Sequence, residues 1–201
     1  PLAEPGLLGV TSGASLGAVI AIYFGLSSVF LLAGPLMGLA GALAASLLTF
    51  ALGRGGGTVA LILPGAAVTS LTGALIALAL NLAPDPYAAY EILTWLMGSL
   101  ADRSWIHVAM VAPFVAFGCA MLGVTGRALD ALSLGEAQAQ SLGVDLRKLR
   151  VLVMLGTGLA VGAVTAVTGA IGFVGLVAPP LARPLVGFEP RRILFPASLC
   201  G

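Results

Sequence analysis

Charge is what this sequence has least of. Asp, Glu, Lys and Arg make up 8% of its 201 residues, against about a quarter in ordinary soluble domains. A surface facing water tolerates apolar atoms but needs polar ones to cover it, so a cytosolic enzyme and a disordered tail are both excluded. Cysteine is scarce too: Cys119 and Cys200 are the two present. They form no Cys-x-x-Cys pair and no cluster with histidine, which excludes a secreted disulfide scaffold and a metal site. Histidine occurs once, as His107, at the edge of an apolar run where a wet, interfacial imidazole is the simplest reading. A Ser/His/Asp arrangement would need a second histidine. The glycine-rich run Arg54-Gly55-Gly56-Gly57-Thr58 lacks the Gly-Lys-Ser/Thr ending of a phosphate loop and reads as a turn. No basic stripe supports nucleic-acid binding.

What the chain has is apolar length. Hydrophobic residues make up 59% of it, with a mean hydropathy of +1.11, and the charges leave long gaps between them. No charged residue falls between Glu4 and Arg54, Arg54 and Asp85, Arg103 and Arg127, or Arg150 and Arg183. A membrane-crossing helix needs roughly 20 mostly apolar residues. The first gap is too long for one span and is divided at Ala33-Gly34-Pro35. The expected spans are 14–32, 36–52, 59–82, 106–124 and 151–167. A short irregular span follows over 171–185, interrupted by Pro179, Pro180 and Pro184. A further apolar segment begins at Ile193, and the chain reads as a piece of a longer membrane protein. No span holds an acidic residue of the kind that ion-driven carriers place in the membrane.

Lys and Arg mark the cytoplasmic side. With strict alternation, Arg54, Arg127, Arg147, Lys148, Arg150, Arg183, Arg191 and Arg192 share one face, and Arg103 lies on the other. The outer segment then holds Tyr87, Tyr90, Trp95 and Trp105, as an aromatic belt would. Gly13/Gly17, Gly34/Gly38 and Gly158/Gly162 have the small-xxx-small spacing that lets membrane helices approach closely.

The longest polar stretch is Gly126–Arg150, on the cytoplasmic face. Ser133 and Glu136 stand at capping-box spacing, and Gly143 stands where a helix-ending glycine belongs. Leu134, Ala137 and Leu142 can share an apolar side. The expected element is a short capped helix over 134–143 that serves as a docking surface.

At this point the sequence resembles the permease subunits of type II ATP-binding-cassette importers, the family that takes up ferric siderophores, haem and cobalamin. The matching runs are PLAEPGLLGV (1–10), TSGAS (11–15), WLMGSL (95–100), ALSLGEAQAQSLGV (131–144), GAIGFVGLVAP (169–179) and the pair Arg191-Arg192. The resemblance implies an all-α, polytopic transmembrane bundle of about ten spans. This chain would supply about six of them, plus the start of another, as a single permease domain over 1–201 with its coupling region at 131–144. Leu134, Gly135, Glu136, Ala137, Gln140, Leu142 and Gly143 correspond to the helix that docks in the ATPase subunit. The span 59–82 corresponds to the helix lining the pathway between two permease copies. Ser12 and Thr58 fall at the cytoplasmic gate, and Arg103 is the local residue placed to meet the binding protein. Pro180 stands where the family usually has histidine.

The resemblance implies a bacterial inner-membrane homodimer with two cytoplasmic ATPase subunits and a periplasmic or lipid-anchored substrate-binding protein. It implies no enzymatic activity in this chain and no cofactor bound by it, with magnesium-ATP held on the partner subunit. The rival expectation is a secondary carrier or channel driven by an ion gradient.

Overall fold

In lipid no water is available to pair a freed backbone N–H or C=O, so an apolar chain closes its hydrogen bonds within helices. A computed structural model describes residues 5–26, 30, 32–53, 58–101, 103–186 and 197, and among them no residue is in a strand. After a 3-10 turn over Pro5–Leu8 come α1 (Val10–Tyr23) and α2 (Ala33–Leu52). A second 3-10 turn, Thr58–Leu61, leads into α3 (Ile62–Asn81), α4 (Pro86–Met97) and α5 (Trp105–Gly123). Two short helices, α6 (Gly126–Leu132) and α7 (Glu136–Ser141), precede α8 (Leu146–Thr168) and α9 (Val174–Val186). Helices α2, α3, α5 and α8 are long and apolar enough to cross a membrane, while α1 is a shorter apolar helix of 14 residues.

Several boundaries differ from the expected spans. Helix α1 stops at Tyr23, well short of residue 32, and Gly25 follows it with a φ of 63°. Gly34 and Pro35 do not interrupt α2 but lie in its first turn, where a proline's missing N–H would have had no partner in any case. Helix α8 starts five residues before the expected Val151, because the Asp145 carboxylate accepts hydrogen bonds from the Arg147 and Lys148 backbone N–H groups at 3.0 and 3.1 Å. The segment expected to be irregular is helical from Val174, with Pro179, Pro180 and Pro184 inside it. Arg191, Arg192 and the apolar segment from Ile193 lie outside the described residues, apart from Ala197.

The contacts sort the helix ends onto two sides. The Tyr23 hydroxyl donates to Leu82 O at 3.0 Å, and the Ser99 N–H donates to Thr168 O at 2.7 Å. The ends of α1, α3, α4 and α8 therefore lie on one side, with the start of α5. On the other side Thr49 Oγ1, near the end of α2, donates to Leu8 O at 3.0 Å, and α6 and α7 join α5 to α8. Among the described residues, Arg127, Arg147, Lys148 and Arg150 fall on this second side and Arg103 on the first. That division agrees with the charge-based orientation. Tyr87, Tyr90 and Trp105 are exposed on the outer side. Trp95 is not part of that belt: it packs against the buried group of Val19, Ile22 and Ile92, which fastens α4 onto α1 and α3.

Helix α2 is the centre of the bundle. A methyl group on Gly17 would run into the Met37 carbonyl, and one on Gly13 would lie 2.6 Å from Gly41 O. On its other side α2 meets α8, where a methyl on Gly162 would lie 2.5 Å from Ala42 Cβ and one on Gly38 2.8 Å from Ala166 Cβ. Helix α8 in turn meets α5, since a methyl on Gly118 would lie 2.6 Å from Gly156 O. Gly13, Gly17, Gly38, Gly158 and Gly162 thus fall at close helix crossings, where packing and not a hydrophobic drive holds membrane helices together.

Gly17 and Gly73 give opposite expectations. Gly17→Ala forces α1 off α2 and lowers stability by about 1–3 kcal/mol, the usual cost of overpacking. Nothing lies within 4 Å of a methyl on Gly73, so Gly73→Ala stabilises by up to about 1 kcal/mol through helix propensity. Thermal unfolding in detergent checks the pair, and a Gly17→Ala protein as stable as the parent would contradict the packing described.

Candidate functional site at the inner face

The site is built from two short helices and the turn between them. The Ser133 hydroxyl donates to Asp130 O at 2.6 Å, so Ser133 closes the end of α6 and does not cap the helix after it. The expected capping box of Ser133 with Glu136 is therefore absent, and the helix expected over 134–143 is the shorter α7, preceded by a separate helix α6. The chain turns at Gly135, whose φ of 107° disfavours any L side chain. Helix α7 then runs for six residues. Its end is the glycine stop read in the sequence: Gly143 has a φ of 84°, its N–H donates to Gln140 O at 2.9 Å, and the Val144 N–H donates to Ala139 O at 3.0 Å.

Glu136, freed from capping Ser133, reaches across to α8 and pairs with Arg150 at 3.4 Å, with the two side chains 39% and 21% exposed. Ala139 is fully buried beneath α7. The ion pair ties α7 to the start of α8. The residues facing away are Leu134 and Leu142, at 62% and 65% exposure, with Ala137, Gln140 and Gly143 also exposed. Gly135 and Glu136 are half-buried. Of the seven residues singled out in the sequence, five form an outward apolar and amide face, Gly135 makes the turn and Glu136 the ion pair.

Asp145 secures the entrance to α8. The Lys148 backbone N–H chiefly holds its carboxyl below the ordinary carboxylate value; desolvation, next in size, opposes it, and the Arg147 N–H and the Lys148 charge lower it further. A depressed folded-state value means that the cap's contribution is complete above the ordinary carboxylate range. It is lost only as pH falls through the lowered value, so neutral pH leaves the cap intact.

The two gate positions are placed unequally. Ser12 is half-buried on α1; its hydroxyl donates to Gly9 O at 3.1 Å and lies 3.5 Å from Thr69 Oγ1. Thr69 Oγ1 donates in turn to Gly6 O at 3.3 Å. With the Thr49 bond to Leu8 O, three side chains from α1, α2 and α3 converge on the carbonyls of one irregular turn, which is how non-helical backbone is satisfied at membrane depth. Thr58 opens the 3-10 turn before α3, and its side chain lies outside the described residues. Arg103 is exposed in the outer loop, where its Nε donates to Ser99 O at 3.4 Å. His107 serves the next helix: the Ser104 N–H donates to its Nδ1 at 3.2 Å at the start of α5. The described residues hold no group of three or more His, Cys, Asp or Glu that could bind a metal ion.

Sequence reasoning missed Arg150 as the partner of Glu136, and Thr49 and Thr69 as the residues that satisfy the 5–9 turn. No helical spacing announces a pair 14 residues apart, nor hydroxyls supplied by three different helices.

Apolar helices crossing between two sides, joined on the inner one by an anchored helical pair, define a polytopic membrane permease domain. The chain belongs to the FecCD transport family, whose sequence profile matches residues 1–201. It is 38% identical over its whole length to the uncharacterized ABC transporter permease protein YvrB of Bacillus subtilis, covering 58% of that protein. It is 36% identical to the hemin transport system permease protein HmuU of Yersinia pestis, with 100% of this chain and 61% of the relative covered. It is 39% identical to the vitamin B12 import system permease protein BtuC of Vibrio cholerae, with 100% and 60% covered. The chain therefore spans about three-fifths of the length of these relatives. A solved structure described as an inward-facing metal-chelate type ABC transporter superposes with a TM-score of 0.89 at 32% identity, over 100% of this chain and 64% of that one.

The Glu136–Arg150 pair is half-exposed, so a double-mutant cycle with Glu136→Gln and Arg150→Gln should give a coupling of about 0.5–1 kcal/mol that shrinks in high salt. Ser133→Ala should cost less than about 0.5 kcal/mol, since it removes no cap from α7. A loss of about 1 kcal/mol at Ser133, the usual cost of deleting an N-cap, would restore the capping box.

Proposed function

We propose that this chain forms part of the permease of an ATP-driven importer and that α7 docks into a groove of a cytoplasmic ATPase subunit. The observation that carries the reading is the arrangement of α7. Leu134 and Leu142, at its two ends, are exposed on the inner side of the bundle, while Ala139 is buried and Glu136 ties the helix to α8. Exposed leucines flanking a fixed six-residue helix suit a partner's apolar groove better than they suit water. The permease takes no chemical step itself. Magnesium-ATP sits on the ATPase subunit, and the bound nucleotide acts here only by favouring one of two arrangements of the docked helix.

The functional unit is a dimer of permeases in the bacterial inner membrane, served from outside by a substrate-binding protein. Helix α3 is suited to face the second copy and the central pathway. Leu63, Leu71, Leu75 and Leu78 are exposed along it, and Gly73 fronts open space. Ser12 and Thr58 form the cytoplasmic gate, with Thr69 and Thr49 holding the turn on which Ser12 sits. Arg103 and the outer loop meet the binding protein. The substrate is a metal chelate or corrinoid, a class in keeping with the relatives named for hemin and vitamin B12. The binding protein, rather than the apolar pathway wall, selects among ferric siderophore, haem and cobalamin.

Leu134→Asp and Glu136→Arg test this in proteoliposomes holding the complete transporter. Both proteins should insert normally. ATP-dependent uptake should fall at least about tenfold, the scale expected when an unpaired charge enters an apolar interface, and the ATPase subunit should no longer co-purify with Leu134→Asp. Unchanged uptake, or uptake that follows an ion gradient without ATP, would contradict the proposal.

A further inference from the structure

One cavity adjoins the docking face, sharing Leu142 with it, and extends away from that face toward the membrane. It has a volume of about 510 Å³ and lies between the end of α5, helix α6 and the first turns of α8. Its walls include Val124, Ala128, Leu149 and Leu152, and two cations, Arg127 and Lys148, also line it. We propose that this cavity binds the headgroup and glycerol region of an anionic phospholipid from the inner leaflet.

Depth is the first argument. Val124 ends a helix long and apolar enough to cross the membrane, and Leu149 and Leu152 begin another. The cavity therefore sits where acyl chains give way to headgroups, on the side that the basic residues mark as cytoplasmic. Charge is the second. Arg127 is exposed and has no ion-pair partner among the described residues. Lys148 Nζ lies 3.7 Å from Asp145 Oδ2, with both side chains half-exposed or more, so the ammonium is free to swing toward a phosphate. Asp145 is the one acid in the lining, and its other oxygen is already held by two backbone N–H groups. The third argument is the mixed lining. Two cations above four aliphatic side chains match a phosphate attached to a lipid, whereas a soluble phosphate has no use for the aliphatic wall. Basic recesses between membrane helices on the cytoplasmic side take anionic headgroups for these reasons, and the volume lies within the range of small-molecule sites.

Native mass spectrometry of the full-length permease, titrated with phosphatidylglycerol or phosphatidylcholine in detergent, tests the assignment. The wild type should bind phosphatidylglycerol more tightly. Arg127→Gln and Lys148→Gln should each weaken that binding about fivefold, the worth of one interfacial cation. Arg127→Lys and Lys148→Arg should keep it. Arg147→Gln, which removes the same charge beside the cavity but outside its lining, should leave binding unchanged. Ala128→Phe, which fills the cavity without altering charge, should abolish the preference even if the charge variants prove unstable. Four results would overturn the proposal. Equal affinity for the two lipids denies the site. An Arg147→Gln loss as large as that of Arg127→Gln reduces it to diffuse surface charge. Displacement of the lipid by millimolar glycerol 3-phosphate makes it a soluble-phosphate site. A preference that vanishes once the ATPase subunits are bound would assign the cavity to that interface, beside Leu142, and would equally defeat it.

Discussion

The bundle depends on backbone meeting backbone. Lipid tails are as apolar as leucine, so the burial that drives a soluble core together is unavailable between these helices. What remains is dispersion at close range, which requires that side chains be missing where helices cross. Gly17 against the Met37 carbonyl, Gly13 against the Gly41 carbonyl, Gly162 against the Ala42 β-carbon and Gly118 against the Gly156 carbonyl are those crossings, and they link α1, α2, α8 and α5 in series. Because each gap is already closed, a displacement of one helix is passed to the next and not absorbed between them.

That mechanical continuity gives the inner-face helices their meaning. Helix α7 is tied to the start of α8 by an ion pair, and its Ala139 is fully buried. Helix α8 is 23 residues long, about 34 Å at the helical rise. At its far end the Thr168 carbonyl takes the Ser99 N–H, and Gly169, with a φ of 77°, lies so close to the end of α4 that a methyl on it would come 2.8 Å from Gly98 Cα. A push applied at Leu134 and Leu142 thus has a route through α8 to the outer helix α4. The polar turn at 5–9, tied by Ser12, Thr49 and Thr69, is where α1, α2 and α3 would register it.

Much of this was legible before the fold was seen, and the reasons are physical. Charge-free runs located the membrane helices because a charge in lipid is costly at any position. The glycine stop at Gly143 was readable because a positive φ is a local demand. Proline misled twice. Pro35 sits in a first turn and Pro179, Pro180 and Pro184 sit within a helix, because a membrane bundle offers other partners for the freed carbonyls. Ser133 misled because a capping box is a local motif and a tertiary partner outbid it: Arg150 holds Glu136 from a different helix. Trp95 misled because membership of the outer segment does not say which face of α4 points inward, and that face is the one seated against Val19 and Ile22.

The central claim is that α7 and α8 move as one body. Paired spin labels at Gln140 on α7 and Val164 on α8, with a second pair at Gln140 and Leu78 on α3, would test it by pulsed dipolar spectroscopy of the assembled transporter with and without ATP. The account predicts that the Gln140–Val164 distance stays fixed between nucleotide states while the Gln140–Leu78 distance changes. A change in the Gln140–Val164 distance between nucleotide states would contradict it.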